Sequence, residues 1–189
     1  MLILSSCDFR NDIAKCIIVD NLPKAIGDCR VLFIPNEKAT HESIVSGKYH
    51  RRLEEFGFCA DNVAVFDHTC PDAFRNLDID LIYISGGNTF ATLQKLRDTG
   101  FDKDIIRYVQ NGVCYLGGSA GAHIASKSVA HVAAFDDVPN GMTDFSGLSL
   151  FDGVLICHYT SEREELYAKL KSESIHPVYV LTDDDVMIE

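Results

Sequence analysis

The chain has 189 residues, 47% hydrophobic and 24% charged, the makeup of one globular domain spanning 1–189 with a sizeable core. That makeup excludes wholesale disorder, a collagen-like repeat and a fold dependent on disulfide or metal staples. Lys and Arg number 17 against 28 Asp and Glu, and the resulting net charge of −11 repels phosphate backbones and anionic lipid, so neither nucleic acid nor a membrane is expected as partner.

Met1–Leu4 lacks a basic leader and reads as a first strand rather than a signal peptide, and no later run has the length of a membrane span. Val31–Pro35, Val63–Phe66, Leu81–Ser85 and Val113–Leu116 continue as short apolar runs, the pattern of strands covered on both faces. Between them Ile44–Phe56 carries a helical stripe, and Thr89–Leu96 and Ile105–Val109 read as helices too. This alternation predicts an α/β fold, a mostly parallel sheet flanked by helices on both faces. Seven scattered cysteines, none spaced C-x-x-C, form neither a disulfide framework nor a zinc motif; they suit a reducing, cytoplasmic setting.

Two glycine clusters each follow a strand and precede a helix. The first, Ser85-Gly86-Gly87-Asn88-Thr89-Phe90, lacks the spacing of a dinucleotide or P-loop phosphate turn. The second, Gly117-Gly118-Ser119-Ala120-Gly121, is Gly-x-Ser-x-Gly, the pattern of a nucleophile elbow with Ser119 on a strained strand-to-helix turn. The Ala120 N–H at that helix start is a natural oxyanion donor, and the first cluster can supply a second. In a parallel sheet both clusters sit at the carboxyl rim, where such folds place their sites.

Past Ala125, Val129–Ala134 reads as a strand and Asp136–Ser149 as a polar loop. Val154–Cys157 is a strand ending at His158, which places that imidazole on the rim as the base for Ser119. His123 lies one helical turn inward of Ser119, and His131 reads as a packed strand residue. Asp136, with Asp137 as the alternative, begins the loop between nucleophile and base and is taken as the orienting acid. The order Ser, Asp, His matches α/β-hydrolases, but 158 − 119 = 39 positions leave too little chain for their intervening strand-helix units. Glu162–Lys171 reads as a charged helix, and Val178–Leu181 and Val186–Ile188 as a closing hairpin. Its turn, Asp183-Asp184-Asp185, reads as solvated rather than as a cation site.

Gly86-Gly87-Asn88-Thr89-Phe90, the Gly-x-Ser-Ala-Gly-Ala at 117–122 and His158-Tyr159 after an apolar strand together resemble the dipeptidase E and cyanophycinase group of serine peptidases. The resemblance runs through nearly the whole chain and implies a fold similar to class I glutamine amidotransferases, with serine in place of cysteine at the elbow. It further implies cofactor-free, metal-free hydrolysis of short peptides, aspartyl dipeptides being the best-known substrates. Carried across, Ser119 is nucleophile, His158 base, and Gly87 with Ala120 the oxyanion donors. Asn88 and Arg163 are taken as substrate contacts, Arg163 as the cation for a substrate carboxylate. Where the family often has a bulky or acidic residue before the nucleophile this chain has Gly118, and where it commonly has proline before the histidine it has Cys157. Alternatives are an amidase or esterase using the same triad, or a non-catalytic domain keeping the turn.

Overall fold

The computed structural model describes residues 1–189. In chain order the strands are β1 (Leu2–Ser5), β2 (Val31–Ile34), β3 (Val63–Val65), β4 (Leu81–Ile84), β5 (Cys114–Gly118), β6 (Val154–Ile156), β7 (Val178–Val180) and β8 (Val186–Ile188). The helices are α1 (Asp12–Asp20), α2 (His41–Val45), α3 (Lys48–Phe56), α4 (Thr89–Asp98), α5 (Phe101–Gln110), α6 (Ala120–Ala125) and α7 (Glu164–Glu173). Six strands form one sheet in the order β3-β2-β4-β5-β1-β8, parallel except for β8, which runs antiparallel to β1.

The apolar runs are strands because each feeds two cores at once. On one face Leu4, Leu32, Ile82, Ile84 and Tyr115 pack with Phe90, Leu93, Phe101 and Ile105 of α4 and α5. The alternating Ile3, Phe33, Tyr83 and Leu116 face the opposite side, where Ile18 of α1 and Tyr49 and Leu53 of α3 cover them. Successive side chains of a strand point to opposite faces, so both registers must be apolar in a sheet covered twice.

Three expected elements differ. The stripe from Ile44 to Phe56 is two helices, α2 and α3, interrupted at Gly47, whose φ of 73° lies in the left-handed region. Val129–Ala134 is no strand: Ala130–Ala134 forms a 3₁₀ turn that buries Val132 and His131. The closing hairpin is also absent. β7 instead pairs in parallel with β6 to make a small second sheet, and β8 crosses to β1. Helix α1, which the sequence reading did not mark, begins at Asn11, whose side chain accepts from the Ile13 and Ala14 N–H groups.

Candidate active site

Ser119 lies between β5 and α6 with φ 48° and ψ −103°, a conformation costly for a residue with a Cβ. The surroundings hold it there. The Ser119 N–H donates to the Ser5 carbonyl at 2.8 Å, and the Ser119 carbonyl accepts from the His123 N–H at 3.0 Å. Helix α6 presses directly on the sheet: a Cβ on Gly121 would stand 2.2 Å from the Ile84 carbonyl oxygen. Tyr115 Oη, fully buried, donates to the Gly121 carbonyl at 2.6 Å. Gly118 is required by a different neighbour, since its Cβ would meet Asp8 Oδ2 at 2.4 Å. The buried Asp8 carboxylate therefore occupies the space that a side chain before Ser119 would fill.

His158 follows β6 at φ 52° and is fixed by the amino-terminal segment. Its N–H donates to Ser6 Oγ at 3.0 Å, and Ser6 Oγ donates to the Leu181 carbonyl at 3.0 Å, which ties the ends of β1, β6 and β7 together. In this position His158 Nε2 is 3.0 Å from Ser119 Oγ. On the other side of the ring, Nδ1 is 2.5 Å from Asp183 Oδ1. Partial burial pushes the Asp183 carboxyl up, but the hydrogen bonds from His158 and Cys7 outweigh it and hold it below the ordinary carboxylate range.

The acid beside His158 is thus Asp183, not Asp136 or Asp137. Asp136 Oδ2 accepts from the Thr89 N–H at 2.7 Å, at the start of α4, where exposed N–H groups and the helix dipole attract a carboxylate. The Asp137 carbonyl accepts from Asn88 Nδ2 at 2.9 Å. Asn88 is committed as well: its Oδ1 caps α4 by accepting from the Ala91 N–H at 2.8 Å. Asn88 is therefore held as the cap of α4, and it does not line the cavity that holds Ser119. Arg163 also points elsewhere. Its guanidinium stacks 3.8 Å from the centroid of Phe135 and donates to the Cys157 carbonyl, bracing the strand end that carries His158.

The cations that share a cavity with Ser119 are Arg10, whose Nε donates to Asp8 Oδ1 at 3.2 Å, and Arg52. With Cys7, Asn36, Gly86, Gly87, His158 and Asp183 they line an open, polar cavity of about 420 Å³. Apart from Arg52 of α3, every lining residue follows the carboxyl end of a strand: β1 for Cys7 and Arg10, β2 for Asn36, β4 for the two glycines, then β5, β6 and β7 for Ser119, His158 and Asp183. Gly86 comes so near that its Cβ would touch that of Ser119 at 3.4 Å. Ala120, the first residue of α6, has an N–H with no partner inside the helix. His123 is buried, points inward and accepts from the Cys157 N–H at 3.2 Å; burial holds its pKa well below the usual value. His131 is packed against the Leu155 carbonyl at 2.8 Å.

Three residues that line the cavity with Ser119, namely Asp183, Arg10 and Arg52, were not expected there from the sequence. Asp183 had a usable signal, an acid two residues past the apolar run Val178–Leu181, much as His158 follows the run ending at Cys157. Arg10 and Arg52 had none, because their approach to Ser119 depends on how the turn after β1 and helix α3 pack.

The sequence matches the family model described as Peptidase family S51 over residues 1–188. An uncharacterised peptidase of Listeria innocua, Lin0382, is 32% identical over 163 residues, covering 78% of this chain and 76% of its own. A Drosophila melanogaster protein named probable alpha-aspartyl dipeptidase is 30% identical over 113 residues, 59% of this chain and 45% of its own. A crystal structure from Listeria monocytogenes EGD-e, described as a candidate Peptidase E protein, superposes with a TM-score of 0.74 at 26% identity, covering 98% of this chain and 91% of that one. The parallel sheet with its flanking helices, the rim carrying Ser119 and a match along almost the entire length place this chain in Peptidase family S51, as a serine-type peptidase.

Proposed function

We propose that the protein hydrolyses short peptides, dipeptides with an N-terminal aspartate among them, through a Ser119–His158–Asp183 relay and an acyl-enzyme. The observation that carries this reading is the continuous contact from Ser119 Oγ to His158 Nε2, 3.0 Å, and from His158 Nδ1 to Asp183 Oδ1, 2.5 Å. Asp183 keeps the imidazole proton on Nδ1, which leaves Nε2 as an acceptor for the serine proton. As Ser119 Oγ attacks the scissile carbonyl, His158 takes that proton and then returns it to the leaving amine. Water repeats the sequence to release the acid product. Negative charge developing on the carbonyl oxygen is met by the N–H groups of Ala120 and Gly87, with the strand-turn-helix around Ser119 acting as a nucleophile elbow. The same arrangement is what a fold similar to class I glutamine amidotransferases would offer with serine in place of cysteine.

Arg10 and Arg52 supply the preference for an anionic group. The chain's charge of −11 would repel an aspartyl substrate, so local compensation is needed, and these two guanidiniums line the cavity beside Ser119. Treatment with a serine-reactive phosphonate followed by peptide mapping tests the nucleophile: the reading requires modification at Ser119. A panel of dipeptides, amides and esters tests the substrate class, and turnover confined to esters or non-peptide amides would overturn the peptidase assignment for this site.

A further inference from the structure

The Ser119 cavity holds a second set of groups that peptide hydrolysis does not use together. Cys7 Sγ, an imidazole nitrogen of His158 and a carboxylate oxygen of Asp183 lie within 4.8 Å of one another, brought from the ends of β1, β6 and β7. No spacing in the sequence announces this set, because its members are contributed by three distant segments. One sulfur, one nitrogen and one oxygen are ligands of the kind that zinc accepts, and three protein ligands with an open fourth position are its usual arrangement in accessible sites. We propose that Cys7, His158 and Asp183 form a binding site for zinc or a similar thiophilic divalent cation, and that its occupancy switches off the serine relay.

The geometry needs only a small adjustment. A tetrahedral zinc at ordinary bond lengths sets its ligand atoms about 3.3–3.6 Å apart. His158 Nδ1 and Asp183 Oδ1 now stand at 2.5 Å, so the carboxylate must swing out by roughly 1 Å, judged against those zinc distances. Asp183 is free to do so: its side chain is 56% exposed and its hydrogen bonds are to His158 and the Cys7 thiol. The cavity opens onto this point and leaves room for a water as fourth ligand.

Inhibition follows from the proton balance. In the proposed relay the imidazole proton sits on Nδ1, beside Asp183, and Nε2 accepts from Ser119. For zinc to bind Nδ1 the ring proton must move to Nε2: the freed Nδ1 lone pair goes to the metal, and Nε2, now protonated, has no electron pair left for the serine. The Cys7 thiol, pushed up to about 11 by burial and by the neighbouring Asp183, is protonated in the metal-free protein. Its proton is released to solvent as the thiolate binds zinc.

Binding can be measured without activity. Calorimetric titration of the full chain with zinc chloride should show a site of one equivalent, and cadmium chloride should raise a sulfur-to-metal charge-transfer band in the ultraviolet. Cys7→Ser should abolish that band and weaken zinc by more than the roughly 10–100-fold that loss of an outer-shell partner costs. Asp183→Asn, read by binding alone, is the second variant. The inhibitory half rests on the proposed serine relay and is read by phosphonate labelling of Ser119: zinc should slow labelling of the native protein at least tenfold and leave Cys7→Ser labelled at its metal-free rate. Zinc binding of equal strength in the native chain and Cys7→Ser, or no binding at all, would overturn the site. Binding through Cys7 with unchanged labelling would overturn the inhibition. Failure of the native protein to label even without zinc would instead indict the serine relay, and the titration would still decide the site.

Discussion

Gly121→Ala isolates how tightly the strand-to-helix turn at Ser119 is built. The added Cβ would stand 2.2 Å from the Ile84 carbonyl oxygen and 3.0 Å from its carbonyl carbon, against the 3.4 Å at which ordinary contact begins. The obstacle is backbone in the middle of the sheet, where β4 is paired on both sides by β2 and β5. It cannot yield as a flexible side chain would, so α6 must lift by about 1 Å to reach ordinary contact, an overpacking of the kind that costs about 1–3 kcal/mol. For a chain of this size that corresponds to a Tm lower by about 2–12 °C. Ser119 is the residue immediately before α6, so the same lift moves Oγ away from His158 Nε2, and a 1 Å misplacement of a reacting group costs about 10²-fold in rate. Purified Gly121→Ala should therefore remain folded by circular dichroism and lose about 10²-fold in kcat on a dipeptide substrate. Native kcat and Tm in this variant would refute the claim that close packing of α6 positions the serine.

Further outcomes follow from the same geometry. Ser119→Ala and His158→Ala should each lower kcat by at least about 10³-fold, and the double variant should be little worse than either, because the two groups act as one unit; multiplicative losses would contradict the relay. Arg10→Gln and Arg52→Gln should raise KM for Asp-Leu about tenfold to a hundredfold, the worth of a hydrogen bond to a charged group, while Ala-Leu changes little; equal effects on both substrates would remove these arginines from recognition. Asp67 is raised by burial but held down to about 2 by His41 and Thr69, so its stabilising contribution is complete above the unfolded carboxylate value near 4 and disappears as pH falls through about 2. Asp67→Asn should therefore narrow the stability gap between pH 5 and pH 2 in thermal melts; an unchanged gap would show that this carboxylate does not contribute.

Much of the architecture was legible because strands buried on both faces must be apolar along their length, which is why the runs Met1–Leu4, Val31–Pro35, Leu81–Ser85 and Val113–Leu116 stood out. The two glycine clusters were legible because close approach of backbone to backbone leaves no room for a Cβ, as at Gly117 and Gly121. Short segments failed where period is ambiguous: Val129 and Val132 bury at a spacing of three, which suits a 3₁₀ turn as well as alternation suits a strand. Val178–Ile188 failed for a different reason. A brief acidic turn between two apolar triplets has the local form of a hairpin, whereas the pairing of β7 with β6 and of β8 with β1 is decided by remote partners. The acid expected beside His158 was misplaced with it. Once β7 lies beside β6 its carboxyl end brings Asp183 to His158, while Asp136 is claimed by the start of α4.

The identity of that acid is therefore the claim on which the account of the site turns, and a comparison of Asp183→Asn with Asp136→Asn tests it most directly. Replacing the carboxylate by an amide removes the group that keeps the proton on His158 Nδ1, so Asp183→Asn should lose up to about 10⁴-fold in kcat with Tm nearly unchanged. Asp136→Asn should weaken the attachment at the start of α4 and lower Tm, with kcat within about tenfold of native, since the Thr89 contact it loses is structural. A large loss of kcat in Asp136→Asn beside near-native turnover in Asp183→Asn would contradict the relay drawn from this structure.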